Sequence, residues 1–183
     1  MSRISFIHDT VSNIIKKFDT RDPFNICSNM NIHIYYKDLG SSLKAYYFYH
    51  SRIKNIIINV NSQGPMTRVL CAHELGHAML HNNPKAVCLF KETELFDATG
   101  LAEYEANLFA ADLLIPDSEL LSLMVNPDKT VFNIAQEFYV PVELLEFKLQ
   151  ILKSKGLFVN LPDIANSNFL KKTLPANCVS SLS

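Results

Sequence analysis

Apolar positions recur at intervals of three and four residues from the start of the chain. Ile4, Ile7, Val11, Ile14, Ile15 and Phe18 form one stripe, which predicts an amphipathic helix. Asp22-Pro23 stops it and opens a short second helix, with Asp22 as N-cap and Pro23 at the first helical position. The period changes at Asn31. Ile32, Ile34 and Tyr36 alternate with His33, Tyr35 and Lys37, and residues 43–50 and 55–60 are dense in Tyr, Phe and Ile. This predicts three strands joined by turns at 39–42 and 51–54 into an antiparallel meander, one face of which floors a helix.

That helix opens at Gly64-Pro65 and runs through Val69, Leu70, Ala72, Leu75, Gly76, Met79 and Leu80 to Asn82-Asn83-Pro84. Residues 84–99 lack a clear period and read as a loop with a short strand at 87–90. A third long helix starts near Gly100 and ends around Pro116. Further helices follow, one with Asp117 as N-cap, then 130–139 and 141–155. The expected fold is α+β: a small antiparallel three-stranded sheet packed on the 64–80 helix, followed by a mainly helical C-terminal half. Residues 1–155 read as one domain, with a core at 20–116 and a helix-turn-helix-like subregion at 117–155. Residues 156–183 read as an irregular tail, rich in Asn and Ser towards its end, with Phe169 and Leu170 as its docking residues.

Composition narrows the function. The 183 residues are 48% hydrophobic, which suits a packed core, and 17 Lys plus Arg against 18 Asp plus Glu leave a net charge of −1. Nucleic-acid binding draws on a clustered cationic surplus, so no direct nucleic-acid ligand is expected. The five glycines are scattered, so no Gly-rich phosphate-binding loop can be written. The longest apolar runs are five residues (45–49 and 86–90), against about 20 for a membrane-spanning helix. The N-terminus has no signal-peptide core. The expected compartment is the cytoplasm, and Cys27, Cys71, Cys88 and Cys178 read as reduced thiols.

Three of the six histidines fall within nine residues: His73-Glu74-Leu75-Gly76-His77-Ala78-Met79-Leu80-His81. At 3.6 residues per turn, His73 and His77 stand one above the other, so both imidazoles can reach a single ion. Glu74 is rotated by roughly 100° from His73 and can point at water held on that ion. A metal lowers the pKa of bound water towards ~7, and an adjacent carboxylate can take its proton as the water attacks a carbonyl carbon. His81 is excluded as a third ligand, because eight residues amount to ~12 Å of helix rise. It reads as a supporting or surface residue near the helix end. Gly76 is costly in a helix interior by about 1 kcal/mol, which points to close approach by another element or by substrate.

The third ligand is sought on the next helix. Glu103 shares a face with Ala106, Asn107, Ala110, Leu113 and Leu114, whose small residues admit a neighbouring helix. Glu105 falls about 200° away, beside Asp112 on what reads as the solvated side. A carboxylate on an inward stripe needs a partner, and a metal provides one; a salt bridge from Glu103 to Arg68 or a lysine is the alternative. Glu92, Glu94 and Asp97 are rivals on the intervening loop. Asn107, one turn beyond Glu103, is placed to hold a ligand's remaining N–H. Tyr46, Tyr47, Tyr104 and His81 are oxyanion-stabilising candidates by residue type alone.

In Ala72-His-Glu-Leu-Gly-His-Ala-Met-Leu-His81, and in Glu103-x-x-Ala-Asn-x-Phe-Ala-Ala-x-Leu-Leu-Ile-Pro116 about 30 residues on, the chain resembles the ImmA/IrrE family of metallopeptidases. The resemblance spans roughly residues 20 to 155; Ile115 stands where the family commonly has methionine. It implies a gluzincin-like site with one Zn2+ on His73, His77 and Glu103, and Glu74 as general base. Some members cleave the helix-turn-helix repressor that silences a phage or mobile element, so the implied partner is a DNA-binding repressor as protein substrate. Within residues 130–155, which have a helix-turn-helix rhythm, Lys148, Lys153 and Lys155 balance Glu137, Glu143 and Glu146, which favours packing or substrate docking over DNA reading. Two other readings are a non-proteolytic anti-repressor with a structural metal and a DNA-responsive regulator. A further reading has a Cys178 thiolate from the tail capping the zinc as an inhibitory ligand.

Overall fold

A computed structural model of the chain describes residues 2–81 and 100–157. Helix α1 (Arg3–Phe18) is capped by Ser2, whose side chain accepts from the Ser5 N–H. Helix α2 (Pro23–Asn29) starts as its sequence predicts, with the Asp22 carboxylate accepting from the Phe24 N–H and Pro23 in the first turn. Strands β1 (Ile32–Lys37), β2 (Ala45–His50) and β3 (Ile53–Asn59) follow. Then come α3 (Pro65–Leu80), α4 (Leu101–Leu114), α5 (Asp117–Met124), α6 (Val131–Glu137) and α7 (Val142–Ser154). None of the described helices is long and apolar enough to cross a membrane. The expected strand at 87–90, the loop carboxylates Glu92, Glu94 and Asp97, Cys88, Cys178 and the tail residues Phe169 and Leu170 lie outside the described residues.

The α+β class holds, but the antiparallel meander does not. The strand order is β1-β3-β2. β1 runs parallel to β3, with Ile34 opposite Ile56, and β2 runs antiparallel to it, with Tyr47 opposite the same Ile56. The physical reason lies in β3. Asn55 through Asn59 are all buried, a pattern that needs cover on both faces and therefore a central place. Ile56 and Ile58 join the main core with Ala45 and Tyr47. Ile57, on the opposite face by alternation, stands in register between Tyr35 and Tyr46.

The chain reaches β2 by crossing the end of the sheet rather than by a tight turn. The buried Asn59 holds that crossing, its amide donating to the carbonyls of Gly40 at 2.8 Å and Leu43 at 2.7 Å. The β2–β3 connection is a two-residue hairpin in which Ser51 and Arg52 both have positive φ, 50° and 66°, as a type I′ turn requires. β3 accordingly begins at Ile53, two residues before the expected start.

Helix α3 packs against β2 and β3 on one side and α4 on the other. Val69 through Ala78 is buried without a break, so α3 is enclosed rather than half-exposed. Lys54 on β3 donates to the Ala78 carbonyl at 2.6 Å, tying the sheet to the last turn of α3. Helix α4 is enclosed as well, by α3, α1 and α7. This overturns the solvated side expected for it: Glu105 is 1% exposed and Asp112 2%. Its cover carries charges that answer its own. The buried Lys148 of α7 meets Asp112 at 2.5 Å, and His8 of α1 meets the other oxygen at 2.7 Å.

One cap also differs. Pro116, not Asp117, occupies the N-cap of α5, and no side chain caps it. Asp117 is instead drawn to Lys148 and Lys155. Burial would raise its carboxyl, but hydrogen bonds from these two lysines hold it down at about 2. Lys148 and Lys155 are thus committed to internal ion pairs.

Candidate metal centre

The i, i+4 spacing places His73 and His77 on one face of α3, and α4 brings Glu103 against them. His73 Nε2 and His77 Nε2 are 3.1 Å apart. Glu103 Oε2 is 3.1 Å from His73 Nε2, and Glu103 Oε1 is 3.3 Å from His77 Nε2. All three residues are buried. Tetrahedral coordination with bonds of about 2.0 to 2.1 Å places ligand atoms about 3.3 Å from one another. The three observed separations fit three ligands of one such ion.

The approach of the two helices depends on Gly76. A Cβ there would stand 3.1 Å from Ala106 Cα, 3.1 Å from Phe109 Cβ and 3.2 Å from the Ala106 carbonyl oxygen. The closeness read from the sequence is therefore to α4. Of the alternative partners for Glu103, Arg68 is engaged elsewhere, donating to the Phe138 carbonyl.

The far nitrogens of the two candidate ligand rings have partners of their own. His73 Nδ1 lies 2.9 Å from Asn107 Oδ1; the ring N–H donates to the amide oxygen, leaving a lone pair on Nε2. His81, the C-cap of α3, lies with Nδ1 3.1 Å from His77 Nδ1 and Nε2 3.0 Å from Glu105 Oε2. Electrostatics suit a cation. Burial pulls the His77 imidazole down to about 4, outweighing the Glu103 carboxylate beside it, so His77 is neutral at neutral pH. Burial would raise the Glu103 carboxyl, but the close approach of the His73 and His77 rings holds it well below the usual carboxylate range. Neutral imidazoles and an ionised carboxylate are the ligand forms that metal binding needs.

Glu74, one residue on from His73, is fully buried. Of the oxyanion candidates, Tyr104 is turned onto α7, donating to Gln150 Oε1 at 2.6 Å with its ring edge-on to Phe147. Cys27 and Cys71 are buried free thiols. The residue that the sequence reading misplaced is Glu105. Its burial against His81 and Arg3 depends on which helices cover that side of α4, which the sequence of α4 alone does not set.

Residues 27–150 match the model of the family described as the IrrE N-terminal-like domain, a family of peptidases. The chain belongs to this family. Two relatives extend the match. An immunity region protein 2 of Bacillus phage phi105, itself uncharacterized, is 35% identical over 144 residues, covering 79% of this chain and 89% of that protein. Metallopeptidase ImmA of Bacillus subtilis (strain 168) is 28% identical over 152 residues, covering 81% and 86% respectively. IrrE N-terminal-like membership and the ImmA relative make this chain a metallopeptidase, and the buried His73, His77 and Glu103 are a donor set suited to its metal.

Proposed function

We propose that the protein is a zinc-dependent endopeptidase that cleaves a helix-turn-helix repressor of a phage or mobile element in the cytoplasm. The observation that carries the catalytic part is the triangle of ligand atoms at 3.1, 3.1 and 3.3 Å. His73, His77 and Glu103 would hold one Zn2+, with Asn107 and His81 fixing the far side of the two rings. Zinc supplies a Lewis acid that brings the pKa of water towards about 7. Glu74 is the general base: its carboxylate takes a proton from the attacking water and returns it to the leaving amine. The complete burial of Glu74 keeps bulk water from competing for that proton.

The printed names of the two relatives, an immunity region protein and a metallopeptidase ImmA, support a repressor as substrate. A net charge of −1 supports an effect on genes through a protein rather than through DNA. Segment 117–155 then serves packing and substrate docking, with Lys148 committed to Asp112 and Asp117. The test is Glu74→Gln. It is expected to keep stoichiometric zinc and to lose about 10²- to 10⁴-fold in cleavage of the repressor. Normal cleavage by that variant would sink the mechanism, and derepression in cells without cleavage would favour an anti-repressor that acts by binding.

A further inference from the structure

An unbroken chain of polar contacts runs from His77 to the first turn of α1. His77 Nδ1 meets His81 Nδ1 at 3.1 Å, His81 Nε2 meets Glu105 Oε2 at 3.0 Å, and Arg3 grips both oxygens of Glu105. The Arg3 contacts are Nε to Oε1 at 2.6 Å and Nη2 to Oε2 at 2.7 Å. We propose that Arg3, Glu105 and His81 are positioning residues that fix the tautomer and orientation of His77. Helix α1, which precedes the residues 27–150 matched by the family model, thereby becomes part of the support of the metal centre. This rests on the reading that His77 binds zinc through Nε2.

The direction of every proton in the chain follows from that reading. A ligand lone pair on His77 Nε2 puts the ring proton on Nδ1. That N–H can donate only if His81 Nδ1 accepts, which puts the His81 proton on Nε2. Nε2–H then donates to Glu105, which is buried and acceptor-only as a carboxylate. The planar guanidinium of Arg3 supplies the two parallel donors that a carboxylate takes best. Each link permits one arrangement of the next. His73 is supported differently, by the single amide oxygen of Asn107. The two histidines are therefore backed by unlike partners, and the His77 branch reaches out of α3 and α4 to a third helix.

The proposal separates from simple helix docking because α1 has a second anchor, His8 on Asp112 at 2.7 Å, that does not touch the chain. Zinc affinity of the full-length protein would be measured by chelator competition, with the fold of each metal-free variant checked by circular dichroism. Glu105→Gln is expected to weaken zinc binding about 10- to 100-fold, and Arg3→Ala, at a side chain 55% exposed, by several-fold. The double variant should be no weaker than Glu105→Gln alone, and His8→Ala should stay close to wild type. In long-range 1H–15N spectra of the zinc-loaded protein, the proton should sit on Nδ1 of His77 and on Nε2 of His81. The opposite tautomer at His81, or an equal loss of affinity in His8→Ala and Arg3→Ala, would overturn the relay. Zinc binding by the wild type that all variants preserve overturns the relay alone, whereas a wild type that binds no zinc overturns the zinc-peptidase reading as well.

Discussion

Gly76 of α3 lies so close to Ala106 of α4 that a methyl group would be crowded: a Cβ would stand 3.1 Å from the Ala106 Cα and 3.2 Å from its carbonyl oxygen. These two neighbours are backbone atoms, which cannot swing aside as the end of a side chain can. Alanine would gain about 1 kcal/mol of helix propensity, but overpacking costs typically about 1 to 3 kcal/mol. Gly76→Ala is therefore expected to lose stability on balance, by about 1 kcal/mol, in urea denaturation. Because α3 carries His73 and His77 and α4 carries Glu103, it should also weaken zinc binding. A variant as stable as wild type, with unchanged affinity, would show that the helices do not need this approach.

Asn107 holds the far nitrogen of His73 at 2.9 Å. Its removal frees the ring to turn and to exchange tautomers. Asn107→Ala is expected to lower zinc affinity about 10- to 100-fold, read by competition with a chromogenic chelator. Asn107→Asp, which keeps an acceptor oxygen in place, should recover most of that loss.

Lys148 is a buried cation serving two carboxylates, Asp112 and Asp117, each at 2.5 Å. Lys148→Met keeps the length of the side chain and leaves the buried Asp112 carboxylate without its lysine partner, with His8 still on one oxygen. Breaking one side of such a pair typically costs about 3 to 5 kcal/mol, and a loss in this range is expected in chemical denaturation. Replacing Asp112 and Lys148 together by apolar residues should cost less than replacing Lys148 alone.

The metal-free protein should weaken in mild acid. Burial lowers the His77 pKa from 6.5 to about 4, so between these values the unfolded chain binds a proton that the folded chain refuses. Stability from this group is fully present above pH 6.5, is lost progressively as pH falls towards 4, and stays lost below. At 1.36 kcal/mol per unit, the loss is on the order of 3 kcal/mol. Glu103, also depressed, acts in the same direction at lower pH: its contribution is present above the unfolded carboxylate pKa and disappears as acid protonates it in the fold. Urea midpoints of the apo-protein from pH 7.5 to 4 would read this, and His77→Ala should flatten the upper part of the profile.

The residues that could be placed from sequence are those governed by short-range periodicity. Two imidazoles four residues apart share a helix face whatever surrounds them, and Glu103 and Asn107 repeat that spacing on the next helix. The caps at Asp22 and the helical spans of α3 and α4 depend on neighbours within a turn, so they too were legible. Sheet order was not, because a parallel β1–β3 pair and a hairpin β2–β3 pair use the same alternation of residues. Only the burial of Asn55 through Asn59 by the whole assembly makes β3 central.

The fate of Glu105 was likewise beyond local pattern. Glu105 lies on a helix enclosed by three others, and a carboxylate that reads as solvated finds Arg3 instead, 102 residues away in sequence. The sequence by itself determined which side chains can meet around one ion. Tertiary packing decided how close α3 and α4 approach and which charges on α1 and α7 answer those of α4, since these depend on contacts between helices far apart in the chain.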